Sequence, residues 1–240
     1  MADRSEVSPA KDGTAILNRQ SGYIRYVDLK HLIALAKTYR VCVHLERRVG
    51  QFVPAGVPLA RVSKGERIPP EHALHFVAAF DIGPTRTLQQ DVEFGIIQIV
   101  DIALRAMSPA VNDPSTAISC VDQLSRIIIL WISRIPPPSH YYDPPHVLRL
   151  VVPWMSFVGL LDTAFEQIRH YAIADVAVSL RLMRAFNDIA STTQHADLRT
   201  RLLERAQRVA AGCADHLPKD ELVKLQQRLE ALESSVAAQD

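Results

Sequence analysis

The stretch Gln89-Gln90-Asp91-Val92-Glu93-Phe94-Gly95-Ile96-Ile97-Gln98-Ile99-Val100-Asp101-Ile102-Ala103-Leu104-Arg105, followed by Ser108-Pro109-Ala110-Val111-Asn112-Asp113-Pro114, decides how the chain is read. Thr87 with Gln90 three residues on spells a capping box, which starts a helix near Leu88. Ser108-Pro109 ends it, because the residue before a proline avoids the α region. The result is a central helix over 88–107, about 30 Å long. At about 100° per residue, Asp91, Phe94, Gln98, Asp101, Ile102 and Arg105 share one narrow sector. Val92, Ile96, Ile97, Ile99, Val100, Ala103, Leu104 and Met107 cover most of the remainder. A helix apolar almost all round belongs in the interior, so the sector is expected to be a buried polar stripe, with Asp101 and Arg105 paired at four-residue spacing. Buried charges require such partners, and Asp101→Ala is then expected to cost about 3–5 kcal/mol.

Downstream, Asp113 suits an N-cap and Pro114 the first helical position, where no N–H is needed. Asn112 tolerates the left-handed turn before them. Arg169 falls on the Leu161, Phe165, Ile168 face of its helix and needs an acidic partner, for which Asp91, Glu93 or Asp101 are the candidates. Asp91, Glu93, Gln98, Asp101, Arg105, Asn112, Asp113 and Arg169 thus form the candidate polar network or ligand site. The leading reading is a structural network that fixes helix register. The alternative is a hydrolytic or metal-assisted enzyme using Asp91, Glu93, Asp101 and Arg105. The two differ in geometry, since an enzyme needs these groups to converge on an open pocket. His72 and His75 are three apart and could share a metal, but no third ligand stands near them in the sequence, so no metal is assigned.

Arg86-Thr87, Gln90-Asp91-x-Glu93-Phe94-Gly95, Gln98, Asp101-Ile102-Ala103 and Ala106-x-Ser108-Pro109-x-x-Asn112-Asp113-Pro114 resemble domain-of-unknown-function family 2254, predicted bacterial membrane proteins. Ser21-Gly22-Tyr23-Ile24 and Ala164-Phe165-Glu166-Gln167-Ile168-Arg169 extend the likeness. It implies an inner-membrane setting in which several transmembrane helices precede this region, and a membrane portion as partner. It implies no activity.

Size and composition narrow the rest. At 240 residues the chain suits one large domain or two small ones. A net charge of +1 provides no global field to recruit nucleic acid, and basic residues are not interleaved with aromatics. Three well-separated cysteines, Cys42, Cys120 and Cys213, argue against a disulfide framework and for a reducing compartment. No uninterrupted apolar run reaches the length of a membrane span, and the first residues lack a signal-peptide core. The chain taken alone reads as soluble and cytoplasmic. No Walker loop, dinucleotide fingerprint, zinc-ligand array or nucleophile elbow is present.

Residues 1–13 read as a disordered tail. Residues 14–64 are β-rich, with strands at Ala15-Ile16-Leu17, Gly22–Val27 and Val41–Leu45, and a short helix capped by Asp28. Gly50-Gln51-Phe52-Val53-Pro54-Ala55-Gly56-Val57-Pro58-Leu59 is similar to the glycine turn of biotinyl- and lipoyl-type barrel-sandwich domains. The lysine hairpin of such carriers is missing, so no cofactor is expected. Ser63–Pro70 reads as the boundary, and residues 65–240 as a helical domain. Val147–Val152 reads as a strand without a local partner. Leu222, Leu225, Leu229 and Leu232 form a narrow seam on the last helix. Those two features and the small β subdomain point to self-association as a symmetric dimer. The fold class is therefore α+β: a small β barrel-sandwich-like subdomain followed by a mainly α-helical domain. The functional expectation is a non-enzymatic soluble domain acting in assembly or ligand sensing.

Overall fold

A computed structural model describes residues 13–237, so the expected tail lies almost wholly outside the described residues. The fold is α+β, in two compact units whose sequences interleave. One runs to Phe94 and takes in Pro136–Met155; the other comprises Gly95–Ile135 and the chain from Ser156 onward.

The first unit holds β1 (Thr14–Leu17), β2 (Gly22–Val27), α1 (Leu29–Thr38), β3 (Cys42–Leu45), β4 (Phe52–Val53) and β5 (Pro58–Ser63). After two short 3-10 turns come α2 (Ala73–Val77) and β6 (Phe80–Gly83), and later β7 (His140–Asp143) and β8 (Val147–Val151). One sheet has the order β1-β5-β3-β8-β7 and the other β4-β2-β6. Asp28 caps α1 as its spelling predicts, accepting from His31 N at 2.9 Å. Ile24, Leu32, Val43, Leu59, Val62, Phe76 and Leu150 are fully buried in this unit's core.

Two expectations are overturned here. The β unit does not stop at the Ser63–Pro70 stretch, because Phe80–Gly83 pairs antiparallel with β2. Its apolar alternation is only four residues long and directly follows a helix, so the helical period hides it. Nor is Val147–Val151 unpaired: β8 lies parallel to β3, with Val43 opposite Leu150, and antiparallel to β7. His140–Asp143, which reads as loop after three prolines, is that edge strand.

Asn18 shows how the β unit fixes its turns. Buried, it donates from Nδ2 to Gln20 O (2.6 Å) and Val53 O (2.9 Å). Asn18→Ala leaves those carbonyls without their donor and is expected to cost about 1–3 kcal/mol in urea unfolding; a change within error would show that water replaces the amide.

In the helical unit, α3 (Val92–Ala106) enters at Gly95, and α4 (Pro114–Ile132) follows the turn at Asn112. Asn112 takes φ 48°, Asp113 accepts from Thr116 N at 3.1 Å, and Pro114 occupies the first helical turn. α5 (Phe157–Leu161) runs through a π-helical turn at Asp162–Glu166 into α6 (Gln167–Tyr171). α7 (Val176–Ser191) packs against α4, and against α8 (Ala196–Cys213) and α9 (Lys219–Ala237). Leu225, Leu229, Leu232 and Val236 of α9 are buried in this packing. The leucine seam is thus filled within the unit, and two of the three features that point to self-association are satisfied inside the chain. Leu225→Ala is expected to cost about 2–5 kcal/mol, read as a lowered urea midpoint without change in slope. Among the described residues one helix, α4, is long and apolar enough to cross a membrane, although its apolar run is interrupted by polar residues. The requirement of an uninterrupted apolar run misses it. Ala117, Cys120, Val121, Leu124, Ser125 and Ile128 on one face of it are buried.

Candidate functional site

The charged residues before and at the start of α3 make the most connected polar cluster of the first unit. Thr87-x-x-Gln90 does not cap the helix. Asp91 does, with Oδ1 accepting from Phe94 N at 3.0 Å, and α3 accordingly begins at Val92. Gln90 is used elsewhere: its amide accepts from Val27 N (3.1 Å) and donates to Val27 O (3.4 Å), as a neighbouring strand would.

Asp91 is 4% exposed. Arg86 grips it bidentately, Nε to Oδ2 at 2.8 Å and Nη2 to Oδ1 at 2.9 Å. The same guanidinium reaches Glu93 at 3.5 Å and lies 5.3 Å from the centre of the Phe94 ring. Arg48 also approaches Glu93, at 3.4 Å. Burial alone would lower the Arg86 pKa, but its hydrogen bonds to Asp91 and the charges of Asp91 and Glu93 outweigh that and raise it. Two arginines therefore face two carboxylates in a closed group. Gly50, at φ 90°, makes the closure possible: a Cβ there would overlap Asp91 Oδ2 and stand 2.6 Å from Arg86 Nη2.

The remainder of the expected stripe is not part of this cluster. Gln98, Asp101 and Arg105 are exposed, and neither Asp101 nor Arg105 makes an ion pair among the described residues. The apolar surround that implied burial is itself incomplete, since Val92 is exposed and Ile97, Ile99, Leu104 and Met107 are only half-buried. Asp101→Ala is accordingly expected to be nearly neutral, which corrects the expectation drawn from the helical wheel.

Arg169 is likewise placed differently. Its partner is Glu166 on its own helical segment, Nη2 to Oε1 at 2.6 Å, rather than a carboxylate of α3. The π-helical turn puts Asp162 beside Arg205 of α8, also at 2.6 Å. The hydrogen bond from Arg169 holds the Glu166 carboxyl below its usual range, with smaller contributions from the Arg208 and Arg205 charges. Asp113 is a half-buried cap whose pKa is lowered by hydrogen bonds from the Thr116 hydroxyl and N–H. His72 and His75 stack at 5.2 Å, and His72 Nδ1 is 2.8 Å from the Tyr39 hydroxyl. Among the described residues no three His, Cys, Asp or Glu side chains are placed to hold a metal.

On β3, His44 Nε2 lies 3.4 Å from Cys42 Sγ. Burial, and then the nearby charge of His140, push the His44 pKa below 6.5; burial pushes the Cys42 thiol up to about 11. A histidine with a depressed folded pKa contributes full stability above its unfolded value, about 6.5. That contribution falls as pH drops from there through the folded pKa, because the unfolded state binds the proton first. His140→Ala is expected to raise the His44 midpoint in an NMR titration. An unchanged midpoint would assign the shift to burial alone.

Comparison with known proteins now adds identity. Residues 2–188 match the family of predicted membrane proteins DUF2254. An uncharacterised protein of Mycobacterium bovis and one of Mycobacterium tuberculosis are each 36% identical to the chain over 190 residues. The match covers 76% of this chain but only 36% of either relative, so the chain spans about a third of their length. No solved structure matches the chain significantly. The length and the identity of these matches leave one assignment: the chain belongs to the DUF2254 family of predicted membrane proteins.

Proposed function

We propose that the chain is a non-catalytic, cytoplasmic module of a membrane-protein system and that it acts in assembly. The observation that carries this reading is the closure of the Arg86 cluster. Asp91 and Glu93, the carboxylates that an enzyme would need free, are held by Arg86 and Arg48. The other two candidates for catalysis, Asp101 and Arg105, are exposed and do not pair with each other. Acid–base chemistry needs positioned groups within reach of a substrate, whereas a closed, buried ion-pair group serves register and rigidity. The three free thiols agree with a reducing compartment.

The test is made in the native host. A tagged chain, extracted from membranes in mild detergent, is expected in a complex larger than its own 26.8 kDa. Asp101→Ala and Arg105→Ala should leave that complex intact. Recovery only as a 26.8 kDa species in the soluble fraction would overturn the reading.

A further inference from the structure

We propose that the C-terminal half of α4 is a docking face for an anionic lipid surface. Residues 127–132 are an unbroken apolar run, Ile-Ile-Ile-Leu-Trp-Ile, between Arg126 and Arg134. Arg126 and Leu130 are four apart and share one stripe, which Arg134 continues in the turn that ends the helix. All three are exposed, Leu130 to 51%. Beside them Ile127 and Trp131 are half-buried, Trp131 stacked on Phe157 at 6.0 Å, and Ile135 is 96% exposed. Aliphatic and tryptophan side chains bordered by arginines suit a bilayer interface. The rings sit at headgroup depth, the aliphatic groups reach the acyl boundary, and the arginine stems lie along it with their charges among phosphates.

Charge decides between lipid and a second copy of the chain. The groove of about 300 Å³ alongside, between α4 and α7, is lined by Asp122, Arg126, Leu130, Arg181 and Asp188, among others. Asp122 is paired with Arg181, and Asp188 lies 3.7 Å from Arg184. Arg126 and Arg134 make no ion pair among the described residues. The face thus has two uncompensated positive charges and no uncompensated carboxylate. Two copies related by a two-fold axis through it would set arginine against arginine, while anionic headgroups answer both. The inference rests on the reading of the chain as a membrane-protein module, and adds lipid itself as the partner of this face.

The test uses the full chain with vesicles of phosphatidylethanolamine and phosphatidylglycerol, against vesicles of phosphatidylcholine alone. Binding is read by co-sedimentation, and by Trp131 fluorescence in a Trp154→Phe background. The chain is expected to bind the anionic vesicles with a blue shift of Trp131. The double variant Arg126→Gln, Arg134→Gln should lower partitioning about thirtyfold, and about 0.5 M salt should weaken it in the same direction. Ile135→Ser should also weaken binding, with the thermal melt unchanged because that side chain is already in solvent, and adding Leu130→Ser should weaken it further. Equal binding to neutral vesicles, or binding indifferent to the arginine changes, overturns the inference. So does a dimer in solution that Leu130→Ser dissociates, which would assign the face to a second copy. Failure to bind vesicles while the native complex larger than 26.8 kDa persists overturns the lipid inference alone; loss of both overturns the assembly reading as well.

Discussion

Asp91→Ala is expected to destabilise the protein by about 3–5 kcal/mol, a fall of roughly 6–20 °C in thermal midpoint for a chain of this size. Three effects add. The substitution removes both short hydrogen bonds from Arg86, it removes the helix cap at Phe94 N, and it leaves a largely buried guanidinium with only the longer contact to Glu93. The cap alone is worth about 1 kcal/mol, so most of the effect must come from the unpaired cation. Asp91→Asn separates the two, since an amide oxygen can still cap but cannot neutralise Arg86. It should recover only the smaller part. Asp101→Ala on the same helix is the internal control and should stay within about 0.5 kcal/mol of the parent. Equal losses at the two positions would mean that the Arg86 grip contributes nothing specific.

Gly50→Ala should have an effect of comparable size from a different cause. At φ 90° any side chain is strained, by about 1–3 kcal/mol. Here the new Cβ would also occupy the space of the Arg86–Asp91 pair. The turn has little room to retreat, because Gly50 N donates to Ile24 O at 2.8 Å. Gly56 provides the comparison: its φ is 82°, but nothing lies within 4 Å of a Cβ built there. Gly56→Ala therefore measures strain alone, and Gly50→Ala should exceed it by at least about 2 kcal/mol. Equal losses in urea unfolding would show that the ion pair moves aside freely.

Local signals were legible where one residue type answers one geometric need. Asp28 and Asp113 are caps, Asn112 takes the left-handed turn, and Gly50 and Gly56 have positive φ, all as their sequence neighbourhoods require. The failures are of another kind. Two capping spellings competed at the start of α3, and Gln90 was drawn away by the Val27 backbone, a contact across 63 positions that no local pattern encodes. Arg86 is five residues before Asp91, across a non-helical turn, so helical pair spacings do not suggest it. The wheel made Asp101 and Arg105 interior by assuming that an apolar surround is always covered, whereas Val92 is exposed and Ile97 and Leu104 are only half-buried. Strand β6 needed β2 and strand β8 needed β3, both distant in sequence, while β7 pairs only with its neighbour β8 but follows three prolines and lacks an apolar alternation. The family likeness was legible from the residues around Asp91; the geometry that holds Asp91 was not.

The parallel pairing of β3 with β8 also bears on synthesis. Arg149 donates to Val41 O across 108 positions, and the intervening chain includes all of α4. While the ribosome is still making that segment, β3 has β5 on one flank and an open edge on the other. At about 5–20 residues per second, the edge stays open for roughly 5–20 seconds before β8 emerges. Such an edge invites pairing with another nascent chain. Maturation of the N-terminal sheet is thus tied to completion of the helical segment threaded between its strands, and chaperone capture during translation should fall on chains arrested between those two strands.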